Sequence, residues 1–175
     1  MIKIDLKTYI REVPDFPKPG ILFYDITTLL QDADALKECI EQMYDLIKDK
    51  KIEKVAAIES RGYLFAIPLA LKLNCGFAMI RKPGKLPSKK IAESYDLEYG
   101  SNTIEIHEDA VKQGENVLLI DDLLATGGTM KAAIKLVEKL GGKVAATLFM
   151  VELTFLKGRD RLKGYENLSL LKYDE

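Results

Sequence analysis

The sequence predicts an α/β fold, a doubly wound, mostly parallel sheet flanked by helices. Three observations point there. Two runs, Val55-Ala56-Ala57-Ile58 and Val117-Leu118-Leu119-Ile120, are apolar at every position, as strands covered on both faces by helices must be. Stretches with apolar residues at helical spacing alternate with such runs through most of the chain. The strands end in turns rich in glycine and charge, and in a doubly wound sheet ligands bind at the carboxyl ends of the strands.

Taken in order, Ile2, Leu6, Tyr9, Ile10 and Val13 recur at helical spacing and predict a short first helix, ended by the loop Pro14-Asp15-Phe16-Pro17-Lys18-Pro19-Gly20. Asp32 suits an N-cap. After it Leu36, Cys39, Ile40, Met43, Leu46 and Ile47 form one apolar stripe, with Lys48, Lys50 and Lys51 at the negative end of the helix dipole. Residues 55–58 are a strand, and residues 63–73 a helix that Pro68 must kink or confine. Residues 77–80 read as a second buried strand running into an exposed basic loop, Arg81-Lys82-Pro83-Gly84-Lys85-Leu86-Pro87-Ser88-Lys89-Lys90. Tyr95, Leu97 and Tyr99 alternate with Asp96 and Glu98, and after Gly100-Ser101-Asn102 a second alternating run, Ile104-Glu105-Ile106, completes a hairpin. Residues 117–120 form a third buried strand, followed by two acids, a glycine-rich turn and a helix over 130–140 that stops at Gly141-Gly142. Residues 144–151 restart as a strand.

The chain has 175 residues, enough for one sizeable core and too few for two comfortable domains, so a single domain over 1–175 is expected. With 26 Lys plus Arg against 27 Asp plus Glu, no excess of positive charge advertises a nucleic acid or a membrane as partner, and any phosphate binding has to be local. No apolar run approaches the roughly 20 residues of a membrane span. The first residues, Met-Ile-Lys-Ile-Asp-Leu-Lys, alternate charge with apolar side chains, unlike a signal peptide, so a cytoplasmic location is expected. Cys39 and Cys75 lie inside apolar patterns without metal-ligand or disulfide spacing and are read as buried reduced thiols.

The most informative stretch is Ile120-Asp121-Asp122-Leu123-Leu124-Ala125-Thr126-Gly127-Gly128-Thr129, at the end of a strand and the start of a helix. Two glycines let the backbone come close to a ligand, the amides at the helix start point outward, and two threonine hydroxyls add donors, so residues Ala125, Thr126, Gly127, Gly128 and Thr129 fit one phosphate. The stretch lacks both the Gly-Lys-Ser/Thr end of a Walker loop and the Gly-x-Gly-x-x-Gly of a dinucleotide site. Asp121 and Asp122 are strong acceptors for the vicinal hydroxyls of a ribose. An isolated Asp-Asp is equally what charged caps in a turn would look like; phosphate cradle and diol acceptors together describe a ribose 5-phosphate.

Residues 117–129 resemble the phosphoribosyl-pyrophosphate motif of the type I phosphoribosyltransferases. Phe16-Pro-Lys-Pro-Gly-Ile-Leu-Phe23, Glu59-Ser-Arg-Gly62, Arg81-Lys-Pro-Gly-Lys-Leu-Pro87, Leu97-Glu-Tyr-Gly100 and Val151-Glu-Leu-Thr154 stand in the order and spacing of that family's adenine-specific members, over nearly the whole chain. The resemblance implies a small N-terminal hood, about residues 1–30, and a core, about 31–175, with the hairpin and basic loop as a flexible lid. It implies transfer of ribose 5-phosphate from phosphoribosyl pyrophosphate to N9 of adenine, giving AMP and diphosphate in purine salvage. Two other readings stay open: another purine (hypoxanthine, guanine or xanthine), or a non-catalytic nucleotide-sensing regulator on the same fold.

The resemblance also implies roles. Ser60, Arg61 and Gly62 present amides and a guanidinium to the pyrophosphate, with Arg81, Lys82 and Lys85 adding charge; an arginine at the position of Arg81 reaches the neighbouring subunit's pyrophosphate in similar enzymes, which implies a homodimer. Glu98 matches the glutamate thought to take a proton from adenine N7, and Tyr99 closes the lid. Leu22 and Leu153 sandwich the purine. Mg²⁺ rides in on the substrate pyrophosphate, without a protein ligand of its own. At position 24, where related enzymes often carry arginine, this chain has Tyr24, a departure that bears on closure over the base. His107, the only histidine, is read as a surface residue.

Overall fold

The structure, a computed structural model, describes residues 4–96 and 100–175. Its contacts divide the chain into two compact units, one ending at Asp45 and one beginning at Leu46.

In the first unit the expected opening helix is only a 3-10 turn, Leu6–Tyr9, started by the Asp5 carboxylate accepting from the Lys7 amide at 3.1 Å. The chain then becomes extended as β1 (Arg11–Pro14), which pairs antiparallel with β2 (Leu22–Asp25), Arg11 opposite Asp25 and Pro14 opposite Leu22. Proline disfavours helix in the residue before it, so the helical spacing of Val13 loses to strand pairing. The Pro-rich segment is therefore the connection of a hairpin. Asp25 closes it: its carboxylate accepts from the Thr27 hydroxyl and amide and from Arg11, and these hydrogen bonds lower its pKa to about 2. After α1 (Thr27–Gln31), α2 (Ala33–Asp45) starts where expected, with the Asp32 carboxylate accepting from the amides of Asp34 and Ala35 at 3.1 and 2.8 Å. Ala35, Cys39, Ile40 and Met43 form its buried stripe, and burial pushes the Cys39 thiol up to about 12. The helix ends at Asp45, short of Leu46, Ile47 and the lysines that follow.

The second unit is built on a five-stranded parallel sheet in the order β4-β3-β7-β8-β9. Its strands are β3 (Lys54–Ile58), β4 (Gly76–Ile80), β7 (Asn116–Leu124), β8 (Lys143–Leu153) and β9 (Asn167–Tyr173). Helix α3 (Gly62–Lys72), with Pro68 inside it, crosses from β3 to β4, and α4 (Gly128–Lys139) from β7 to β8. Val117 to Ile120 are fully buried, as the doubly apolar pattern requires. β4 departs from expectation: it is an edge strand, with Met79 exposed, because an apolar composition does not distinguish an edge from a centre. β7 departs too, running four residues past Ile120, so Asp121 and Asp122 lie within the strand, Asp121 opposite Phe149 of β8, rather than in a turn. β9 is a strand the sequence pattern left unnoticed.

The hairpin forms from β5 (Lys90–Asp96) and β6 (Ser101–His107), in register from Lys90 opposite His107 to Asp96 opposite Ser101. Glu93, on its inward face, accepts from Lys135 at 2.9 Å and Lys139 at 2.6 Å, which fastens the hairpin to α4. No described helix is long and apolar enough to cross a membrane. One topological fact positions the site. From β3 the chain crosses outward to β4, whereas from β7 it crosses the other way to β8 and β9, so strand order reverses between β3 and β7. A crevice opens at the carboxyl ends of strands on either side of such a reversal.

Candidate active site

The carboxyl end of β3 carries Glu59-Ser60-Arg61-Gly62 and that of β7 carries Asp121-Asp122, and the two meet across the reversal. Arg61 Nε lies 2.6 Å from Asp122 Oδ2. A Cβ on Gly62 would stand 3.1 Å from the Ile120 carbonyl oxygen and 3.3 Å from Asp121 Oδ1, so any side chain there would crowd the β7 backbone where α3 starts. The Glu59–Ser60 peptide is cis. Asp122 is almost fully buried, and its amide donates to Asp121 Oδ1 at 2.9 Å. Burial and the negative charge of Asp122 push the Asp121 carboxyl well above the ordinary carboxylate range. Of two adjacent acids, then, one is paired with a guanidinium and the other is held towards its neutral form, able to donate as well as accept.

After β7 the backbone turns through Gly127 in the left-handed region, φ +82°, where a Cβ would stand 2.5 Å from the Gly158 carbonyl oxygen. Gly127 caps α4 without any side-chain hydrogen bond, and α3 likewise starts at Arg61 with none. The contrast with α2, whose first amides are taken by Asp32, is informative. Among the described residues neither helix that begins at the strand reversal has a capping side chain, which leaves its positive dipole end to an anion, although at α3 the Tyr63 and Leu64 amides already donate to the Ser60 and Arg61 carbonyls.

These elements enclose a cavity of about 680 Å³, lined by Ser60, Arg61, Arg81, Lys82, Asp121, Asp122 and Thr129, together with Glu59, Tyr95 and residues 101–104. A second cavity, about 70 Å³, is formed by residues 123–130 with Asp121 and Phe149. Asp121 and Thr129 line both, so a carboxylate pair and a bare helix start sit side by side. At the rim, Glu59 gathers the basic loop. Its carboxylate accepts from Arg81 Nη2 at 3.0 Å and Nε at 3.3 Å, from Lys85 Nζ at 3.1 Å and from the Lys82 amide at 3.2 Å. The hydrogen bonds from Arg81, then those from Lys85 and Lys82, bring its pKa down to about 2.

The structure therefore brings Ser60, Arg61, Arg81, Lys82, Asp121, Asp122 and Thr129 to one cavity, with Ala125, Thr126, Gly127 and Gly128 around the adjoining one. Gly62 packs against Asp121, and Lys85 joins through Glu59. Glu98 and Tyr99 lie outside the described residues. Leu153 ends β8 in the second unit, while Leu22 and the buried Tyr24 belong to β2 of the first. His107 ends β6, its Nε2 accepting from the Ser88 amide at 3.4 Å. Sequence reasoning missed Glu59 as the partner of Arg81 and Lys85, Tyr95 as a wall, and Gly158 as the backing of Gly127. Glu59 was findable as an acid directly after a doubly buried strand; the contact of Gly158 joins distant segments and leaves no local signal. Among the described residues, no three His, Cys, Asp or Glu side chains gather to hold a metal ion.

Comparison with known proteins agrees with this geometry. Residues 25–167 match the family described as "Phosphoribosyl transferase domain". A curated adenine phosphoribosyltransferase of Halothermothrix orenii is 54% identical over 169 residues, spanning 97% of this chain and 99% of its own length. The crystal structure of adenine phosphoribosyltransferase from Thermoanaerobacter pseudethanolicus superposes with a TM-score of 0.94 at 51% identity, covering 97% of this chain and 98% of that one. The Saccharomyces cerevisiae enzyme, complexed with adenine and an imino-altritol bisphosphate, superposes with a TM-score of 0.90 at 38% identity, covering 95% and 97%.

The Glu59 cluster sets an acid dependence. A carboxyl held at about 2 in the folded chain, against an ordinary 4.5, stabilises the fold fully above pH 4.5 and loses that contribution as pH falls towards 2. The difference in Tm between the native chain and Glu59→Gln is expected to shrink from pH 5 to pH 2 by about the whole of this contribution. A difference constant over that range would mean Glu59 is not held ionised by the basic loop.

Proposed function

The chain belongs to the adenine phosphoribosyltransferase group of the phosphoribosyltransferase family, and from that premise we propose that it transfers ribose 5-phosphate from phosphoribosyl pyrophosphate to N9 of adenine, giving AMP and diphosphate for purine salvage. The observation that carries the proposal is the juxtaposition at the strand reversal of an uncapped glycine-rich helix start, an aspartate pair and a cationic rim. Relatives matching over nearly their whole length are named for adenine, which favours this base over other purines and an enzyme over a sensor.

The 5-phosphate is read onto the amides and hydroxyls of residues 125–129, the ribose hydroxyls onto Asp121 and Asp122, and the pyrophosphate onto Ser60, Arg61, Gly62, Arg81, Lys82 and Lys85. Breaking the C1–O bond leaves positive charge on the sugar and negative charge on pyrophosphate, in an oxocarbenium-like transition state. Fixed cations at the leaving group then favour the transition state over the ground state. Glu98 is proposed to accept the adenine N7 proton as N9 attacks. Tyr99 and the hairpin shield the site from water, which would hydrolyse the donor. The assignment of Leu22 and Leu153 to adenine rests on the resemblance alone. The first unit contains the segment read as a hood together with residues 31–45 of the segment read as the core, and the second unit contains the rest of that core.

Mg²⁺ fits as a companion of the substrate. Of the cavity carboxylates, Glu59 is engaged by Arg81 and Lys85 and Asp122 by Arg61, so substrate oxygens and water would supply its ligands, without a protein ligand of its own. When bound, the ion withdraws charge from the departing pyrophosphate. A homodimer is part of the proposal, supported by an exposed apolar stripe on α3, where Leu64 is 46%, Ile67 42% and Leu71 77% exposed. So is a cytoplasmic location, supported by two free cysteines, of which Cys39 is buried and Cys75, against expectation, only half-buried.

Purified chain with Mg²⁺ and phosphoribosyl pyrophosphate is expected to form nucleotide with adenine, and at least about a hundredfold less with hypoxanthine, guanine or xanthine at equal concentration, since a site built for one hydrogen-bonding edge rejects another strongly. Turnover with a 6-oxo purine instead would reassign the base, and none with any purine would favour the sensor. Glu98→Gln is expected to lower kcat by about a hundredfold or more while ribose 5-phosphate binding stays within about twofold. Parallel losses in both would remove Glu98 from proton transfer.

A further inference from the structure

The cradle read as the 5-phosphate site contains no cation of its own sequence, and the fold brings one to it. Five arginines occur in the chain. Four have carboxylate partners: Arg11 with Asp25, Arg61 with Asp122, Arg81 with Glu59 and Arg159 with Glu152. Among the described residues the fifth, Arg161, has none, and its Nη1 stands 3.3 Å from the point where a Cβ on Gly128 would be. Gly128 is the first residue of α4 and a wall of the smaller cavity.

The segment carrying Arg161 is fixed against the cradle. It is a 3-10 turn, Gly158–Leu162, whose Leu162 is fully buried. Arg159 of the same turn donates two hydrogen bonds of 2.6 Å to the buried carboxylate of Glu152 and a third, 2.7 Å, to the Asn167 carbonyl oxygen, which ties the turn to β8 and β9. The Gly158 carbonyl backs Gly127, and a Cβ on Gly158 would run into the Ala125 carbonyl oxygen, so turn and cradle pack backbone to backbone. A guanidinium beside a bare helix start, without a carboxylate partner among the described residues, has the chemistry to complete the binding of a phosphate dianion with charge-assisted hydrogen bonds.

From this we infer that Arg161 is a further binding residue for the 5-phosphate of the sugar substrate and of the nucleotide product. The inference rests on the proposed reading of the cradle. It separates the two arginines of the Gly158–Leu162 turn: Arg159 holds the turn in place, and Arg161 faces the ligand. It also gives the two anionic ends of the donor separate cations, Arg161 at the 5-phosphate and Arg61, Arg81, Lys82 and Lys85 at the pyrophosphate.

The test is calorimetric binding of ribose 5-phosphate and of pyrophosphate, each with Mg²⁺, to the native chain, Arg161→Gln and Arg161→Lys. Arg161→Gln is expected to bind ribose 5-phosphate about tenfold more weakly, with a shallower dependence on salt, while pyrophosphate affinity stays within about twofold; Arg161→Lys is expected to recover part of the loss. Unchanged ribose 5-phosphate affinity in Arg161→Gln would overturn the inference, and so would an equal weakening of both ligands, which marks a general loss of positive potential. Failure of the native chain itself to bind ribose 5-phosphate would instead overturn the reading of the cradle, and the inference with it.

Discussion

The site depends on the ion pair between Arg61 and Asp122, which spans the point where strand order reverses. At 2.6 Å it ties the first turn of α3 to the central strand β7, and the pairing is possible because Gly62 lets the helix begin against the β7 backbone. Two adjacent carboxylates on one strand would otherwise repel each other in a partly dry environment. Arg61 compensates one of them, and burial beside that charged neighbour displaces the other towards its protonated form. The pair thus becomes a tolerable feature of a strand end, and it faces the cavity instead of a turn exposed to water.

The same logic extends around the cavity. Arg61 is neutralised by Asp122, and Arg81 and Lys85 by Glu59. In the proposed reaction the donor carries both kinds of replacement partner: a pyrophosphate for the cations and a pair of hydroxyls for the aspartates. A ligand with only one of the two ends would leave one member of the Arg61–Asp122 pair without compensation, which costs more than a lost surface contact because Asp122 is buried. On that proposal, the way the free site stores its charge favours binding of the whole donor over binding of its fragments.

Much of this was legible in the sequence, for physical reasons. Strands covered on both faces show no alternation, so β3 and β7 could be read directly, and Asp32 announced α2 because an N-cap is a local interaction. The stretch proposed as the phosphate cradle stands out in the sequence because its candidate donors are contiguous. What escaped was decided by pairing at a distance. Val13 fits a helical spacing but joins β1, since its strand partner lies across a Pro-rich connection. β9, mostly half-buried at a sheet edge, carries a weak apolar pattern. The hold of Glu59 on Arg81 and the approach of Arg161 to Gly128 join residues far apart in the chain, and only the topology brings them together.

The central claim is that the Asp121–Asp122 pair grips the ribose hydroxyls. Its most direct measurement compares the affinities of AMP and 2′-deoxy-AMP for the purified chain under identical salt and Mg²⁺. Loss of one hydrogen bond to a charged acceptor, worth about 1.5–3 kcal/mol, predicts that the deoxynucleotide binds about tenfold or more weakly. Equal affinities would mean that the sugar hydroxyls do not rest on these aspartates.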